Sequence, residues 1–118
     1  MEGTIDTQQI TCDISLLKVR GSLDAHSCDQ FKRCVTDCFD HNTYRLAVDM
    51  SEVNLMTCAG VGVLIGASKM AQEHRGDIVL IRPSPAVREL IDLVGLNKLC
   101  DISSNTEDAV KLLECQLA

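Results

Sequence analysis

Short aliphatic runs alternate with longer segments of helical period along this whole chain. Strands separated by helices in this way pair in parallel through right-handed crossovers, so the alternation restricts the fold more than any other feature. Residues 4–12 alternate weakly, as a short leading strand would, and 14–19 (Ile-Ser-Leu-Leu-Lys-Val) read as a stronger strand that Gly21 should break. Asp24 or Ser27 can cap the following helix. From Cys28 its apolar positions are Phe31, Cys34, Val35, Cys38 and Phe39, at three-and-four spacing, and His41-Asn42 ends it. Residues 45–49 (Arg-Leu-Ala-Val-Asp) read as a buried strand and 51–54 as a polar loop. A second helix is expected from near Thr57 to His74, with Gly76 as its stop. Residues 77–81 are too short and too β-branched for a helix. Pro83 and Pro85 mark a turn, and Ser84 can cap a third helix carrying Val87, Leu90, Ile91 and Val94 up to Gly95. A strand over 99–102 follows, then a helix to about Leu117 with Ser104 and Glu107 as its capping box. The expected class is α/β: one domain over 1–118, a mostly parallel sheet of roughly four to five strands, about four helices and a short antiparallel N-terminal edge strand.

The totals narrow the function. The chain has 118 residues, enough for one domain, and with 3% aromatics and no Trp its core must be aliphatic. The net charge is −6 and the Lys and Arg residues are scattered, which argues against nucleic acid or anionic lipid as a partner. No apolar stretch reaches membrane-spanning length, and residues 1–10 lack the pattern of a secretory leader. Seven cysteines (Cys12, Cys28, Cys34, Cys38, Cys58, Cys100 and Cys115) include no CxxC pair, and the count is odd. They read as reduced thiols in a cytoplasmic protein, mostly small buried hydrophobes. Only His26, His41 and His74 could join them, without paired ligand spacing, so neither a metal site nor a cofactor is expected.

Residues 49–62 (Asp-Met-Ser-Glu-Val-Asn-Leu-Met-Thr-Cys-Ala-Gly-Val-Gly) run from a strand end into a helix start. Ligands and partners of parallel sheets gather at the carboxyl ends of strands. Gly60, Gly62 and Gly66 fall inside the helix, each costing about 1 kcal/mol against Ala. Close packing of helix on sheet would offset this on one side, and a flat face open to a partner backbone on the other. Their spacing is not the G-x-G-x-x-G dinucleotide fingerprint, and no G-x-x-x-x-G-K phosphate loop occurs.

Residues 46–62 (Leu-Ala-Val-Asp-Met-Ser-Glu-Val-Asn-Leu-Met-Thr-Cys-Ala-Gly-Val-Gly) resemble the signature of STAS domains, the bacterial anti-sigma factor antagonists. The family's usual form is Asp-Leu-Ser, a few residues, then Met-Asp-Ser-Ser/Ala-Gly-Leu/Val-Gly. Residues 19–25 (Val-Arg-Gly-Ser-Leu-Asp-Ala) resemble its Gly-Glu-Leu-Asp-Ala turn, and 82–96 its third-helix pattern, so the resemblance extends over 10–115. It implies a regulatory module that binds an anti-sigma factor, usually a serine kinase, and so frees a sigma factor. In the family that kinase phosphorylates a Ser at the start of the second helix, which ends binding. The phosphate brings about −1.5 to −2 charges onto the interface. Here the acceptor Ser falls on Cys58, the preceding Asp on Thr57 and the following residue on Ala59. Thr57 is the neighbouring hydroxyl that could accept phosphate instead, and otherwise the usual switch is missing. The resemblance implies a partner surface made by Ser22, Asp24, Asn54, Met56, Thr57, Cys58, Ala59, Val61 and Gly62.

Other readings stay open. Soluble STAS subunits also serve lipid-transport ATPases, and the cytosolic tails of anion transporters share the fold. A thiol enzyme would need a base beside Cys58, and no His lies in that segment. A thiol at a helix start is favoured as thiolate by the helix dipole, so oxidation of Cys58 could block the surface as phosphate does.

Overall fold

The computed structural model describes residues 4–115. In chain order the elements are β1 (Thr4–Gln9), β2 (Ile14–Leu23), α1 (Ala25–Asp40), β3 (Arg45–Met56), α2 (Cys58–Glu73), β4 (Asp77–Ile81), α3 (Pro85–Val94), β5 (Asp101–Ser103) and α4 (Thr106–Cys115). The five strands lie in sequential order in one sheet. β1 runs antiparallel to β2, and β2 through β5 are mutually parallel.

Alternation along the strands divides the core. Leu17, Val19, Leu46, Val48, Met50, Ile78 and Leu80 pack with Phe31 and Val35 of α1, Leu64 of α2, and Val87 and Ile91 of α3. Ile14, Ala47, Val79 and Ile81 point to the other face, where α4 covers them with Ala109 and Leu113. Successive strand residues face opposite sides, so each central strand feeds both clusters.

Several boundaries differ from the sequence reading. Gly21 does not end β2. It takes φ 86° at an irregularity in the β2–β3 pairing, and the strand continues to Leu23. Nor is 51–54 a loop. Lys18 pairs with Asp49 but Arg20 with Glu52, and Gly21 pairs with Val53 but Ser22 with Leu55, so β3 gains a residue twice. Each β-bulge resets the alternation, and the inward positions step from Met50 to Val53 to Met56.

α1 begins at Ala25, directly after Asp24, one of the two caps the sequence offered. Asp24 is its cap and Ser27 the reciprocal partner. α2 ends at Glu73, and the left-handed residue after it is Arg75 (φ 63°), not Gly76. Gly76 is needed for space, because a Cβ there would strike the backbone carbonyl of Tyr44. A 3-10 turn over Leu96–Lys98 delays β5, with Leu99 N and Cys100 N donating to Leu96 O at 3.0 and 2.9 Å. α4 is capped by Asn105, whose side-chain oxygen accepts from Asp108 N at 2.8 Å; Ser104 and Glu107 do not form the expected box. The expected end near Leu117 lies outside the described residues.

Candidate functional site at the start of α2

The two β-bulges carry β2 and β3 past the other strands, and their ends meet the first turn of α2. Thr57 N donates to Leu23 O at 3.1 Å, joining the end of β2 to the start of α2. Gly60 lies against the same carbonyl, and an added Cβ would stand 2.5 Å from that oxygen and 3.0 Å from Leu23 Cγ. Close packing of helix on sheet therefore accounts for Gly60. It does not account for Gly62 or Gly66, where a Cβ would meet nothing within 4 Å.

The turn before α1 is built beside this junction. Asp24 Oδ1 accepts from His26 N at 3.0 Å and Ser27 N at 3.2 Å. Ser27 Oγ accepts from Asp24 N at 2.9 Å and donates to Ser22 O at 2.7 Å. The Ser27 amide first, then that of His26, holds the Asp24 carboxyl below its ordinary range, against a smaller opposing effect of desolvation.

Of the residues assigned to a partner surface, Asn54, Cys58, Ala59 and Gly62 are exposed, and Ser22, Asp24 and Thr57 are half-buried. Met56 and Val61 are corrections: both are 6% exposed and belong to the main core, Met56 because the second bulge turns it inward. Thr57 is a further correction. It occupies the cap position of α2, yet its side chain makes no capping bond, and its Oγ1 is buried without a hydrogen-bond partner among the described residues. The neighbouring Cys58 is exposed.

Two features escaped the sequence reading. Leu55 is 51% exposed, an apolar side chain set beside Asn54 by the second bulge. Residue type gave no signal, since Val53 and Met56 beside it are equally apolar and buried. Beyond Ala59, Gly62 and Gly66 floor a groove of about 420 Å³ between α1 and α2, walled by Val35, Phe39, Val63 and Met70 with Lys32 at its edge. Among the described residues no group of three or more His, Cys, Asp or Glu could hold a metal ion. No helix among them is long and apolar enough to cross a membrane.

Residues 5–109 match the model of the STAS domain family. An anti-sigma-B factor antagonist of Bacillus subtilis (strain 168) is 26% identical over 111 residues, covering 94% of this chain and 100% of that protein. The unphosphorylated SpoIIAA anti-sigma factor antagonist superposes with a TM-score of 0.82 at 21% identity, covering 95% of this chain and 97% of that one. An anti-sigma factor antagonist from Mycobacterium paratuberculosis gives 0.85 at 19% identity, covering 96% and 95%. These solved structures share the five-stranded fold described above, and the match over 5–109 decides the family: the chain belongs to the STAS domain family.

Proposed function

We propose that this protein is an anti-sigma factor antagonist: a cytoplasmic, non-catalytic module that docks an anti-sigma factor of serine-kinase type and so releases a sigma factor. The observation that carries this reading is the exposed first turn of α2, Cys58 and Ala59 with Gly62 one turn on, flanked by the exposed Leu55. A rigid frame holds it, through the Leu23–Thr57 hydrogen bond and the Asp24–Ser27 capping box. A preorganised surface loses little conformational freedom on binding. Ser22, Asp24, Asn54, Thr57, Cys58, Ala59 and Gly62 form the docking surface, while Met56 and Val61 support it from below. The relatives that are anti-sigma factor antagonists support the same role.

The phosphate switch is absent in this reading. Cys58 offers a thiol where the family has a serine hydroxyl, and Thr57 Oγ1 is buried. Docking is then governed by the amounts of the two proteins. The test is affinity capture of partners from the source organism, followed by incubation with the captured kinase and ATP. Recovery of an anti-sigma kinase and an unchanged intact mass are expected. Recovery of a membrane permease with its ATPase would instead establish the lipid-transport reading, and phosphorylation of Thr57 would overturn the absence of a switch.

A further inference from the structure

The carboxyl ends of β4 and β5, with Ser51 of β3 beside them, border a second, open depression whose lining includes no residue of α2. It has a volume of about 710 Å³. Its polar lining comprises Arg82, Arg88, Ser51, Ser84, Ser103 and Ser104, and Pro83, Pro85 and Ile102 complete the wall. The chain carries 17 acidic against 11 basic residues, yet the residues lining this depression include two arginines and no carboxylate. Clefts lined by one sign of charge concentrate ions of the other sign.

Both arginines keep guanidinium donors available to a ligand. Arg82 N donates to Ser103 O at 3.0 Å, and Pro83 follows directly, restricting the backbone on both sides of the arginine. Its guanidinium makes no ion pair or hydrogen bond among the described residues. Arg88 is held through Nε by Asp92 Oδ1 at 3.2 Å, which leaves its two terminal nitrogens unengaged. The helix start is not what makes the depression: Ser84 Oγ accepts from Val87 N at 3.4 Å, and Ser84 O from Arg88 N at 2.7 Å. Ser103 Oγ donates to Asn105 O, so the hydroxyls left to donate are those of Ser51, Ser84 and Ser104.

We infer that this depression binds a phosphate-monoester dianion, that of a small, soluble, hydroxylated phosphorylated metabolite. Arginine suits the phosphoryl oxygens through parallel N–H donors. The serine hydroxyls pair with phosphoryl or substrate oxygens, and Pro85 and Ile102 face the carbon skeleton. The site is separate from the proposed docking surface and does not depend on that role.

The probes are inorganic phosphate and glycerol 3-phosphate, titrated into the whole chain by NMR of backbone amides at constant chloride. Shifts should centre on Ser51, Arg82, Ser84, Arg88 and Ser104, with glycerol 3-phosphate binding more tightly than inorganic phosphate. Arg82→Gln and Arg88→Gln should each weaken binding about tenfold, the scale of one lost charge-assisted contact. Lys69→Gln removes the same charge from α2 and should leave affinity unchanged. Circular dichroism confirms that each variant folds. Equal weakening by Lys69→Gln, shifts centred elsewhere, or binding of chloride as tight as of phosphate would overturn the site. Binding solely to vesicles containing phosphatidic acid would overturn the soluble ligand class.

Discussion

A Cβ added to Gly60 would stand 2.5 Å from the carbonyl oxygen of Leu23, closer than side-chain carbons approach backbone oxygens. That oxygen also accepts the Thr57 amide at 3.1 Å, so it cannot move aside without loosening the start of α2. Gly60→Ala should therefore destabilise the fold by about 1–3 kcal/mol, the usual cost of overpacking. Gly62→Ala and Gly66→Ala have open space and should each stabilise it by up to about 1 kcal/mol through helix propensity. Urea denaturation midpoints of the three variants check this, and the opposite signs are the decisive reading.

The position of the thiol leads to a gain-of-function test. Cys58 is exposed on the first turn of α2, while the neighbouring Thr57 hydroxyl is buried and unpaired. Cys58→Ser places a hydroxyl where the proposed partner kinase would reach it. With that kinase and ATP, the variant should gain one phosphoryl group by intact mass while the natural chain gains none. Cys58→Glu puts a charge on the same turn and should weaken partner binding about tenfold or more by calorimetry. An unchanged affinity would remove Cys58 from the docking surface.

Burial separates the cysteines chemically. Burial pushes the Cys100 thiol up to about 11, against a smaller opposing hydrogen bond with Ser68. Burial likewise raises the Cys38 and Cys28 thiols. Cys12 and Cys58 are exposed. The thiolate is the reacting form, so iodoacetamide near pH 8 should label Cys12 and Cys58 first and leave Cys28, Cys38 and Cys100 unreacted until the chain unfolds. Peptide mass mapping over time gives the order. Early labelling of Cys100 would show that its region opens in the folded state.

The parts legible in the sequence were those set by periodicity. Phe31, Val35 and Ile91 lie in the core, and the α/β order follows from strand runs too short to be helices. The two bulges were illegible because a bulge breaks the period-two signal on which a strand is recognised. Met50, Val53 and Met56 are three apart, so the stretch from Ser51 to Asn54 looked like a loop, and Met56 was placed on the surface. Thr57 read as a hydroxyl open to phosphate; only the side-chain direction reveals that its oxygen is buried and orphaned. The roles of the glycines could not be divided, since the demand for space at Gly60 comes from Leu23, distant in sequence.

Asp24 gives the fold a pH dependence whose sign is fixed by its hydrogen bonds. The carboxyl is held below its ordinary value of 3.8, first by the Ser27 amide and then by the His26 amide. A carboxyl depressed on folding contributes stability that is complete above its unfolded value and is lost as pH falls through its folded value. The contribution should thus be full at neutral pH and fade below about pH 4. Glu52, lowered first by its hydrogen bond from Arg20, acts in the same direction, so the wild-type profile alone does not isolate Asp24. Asp24→Asn does, because it keeps an oxygen to accept the two amides but does not titrate. The stability difference between wild type and Asp24→Asn should be constant from about pH 7 to about pH 5 and shrink toward about pH 2. Urea midpoints across that range measure it. A difference that stays constant down to the acid end would mean that the cap acts through its hydrogen-bonding oxygen alone and that its charge contributes nothing.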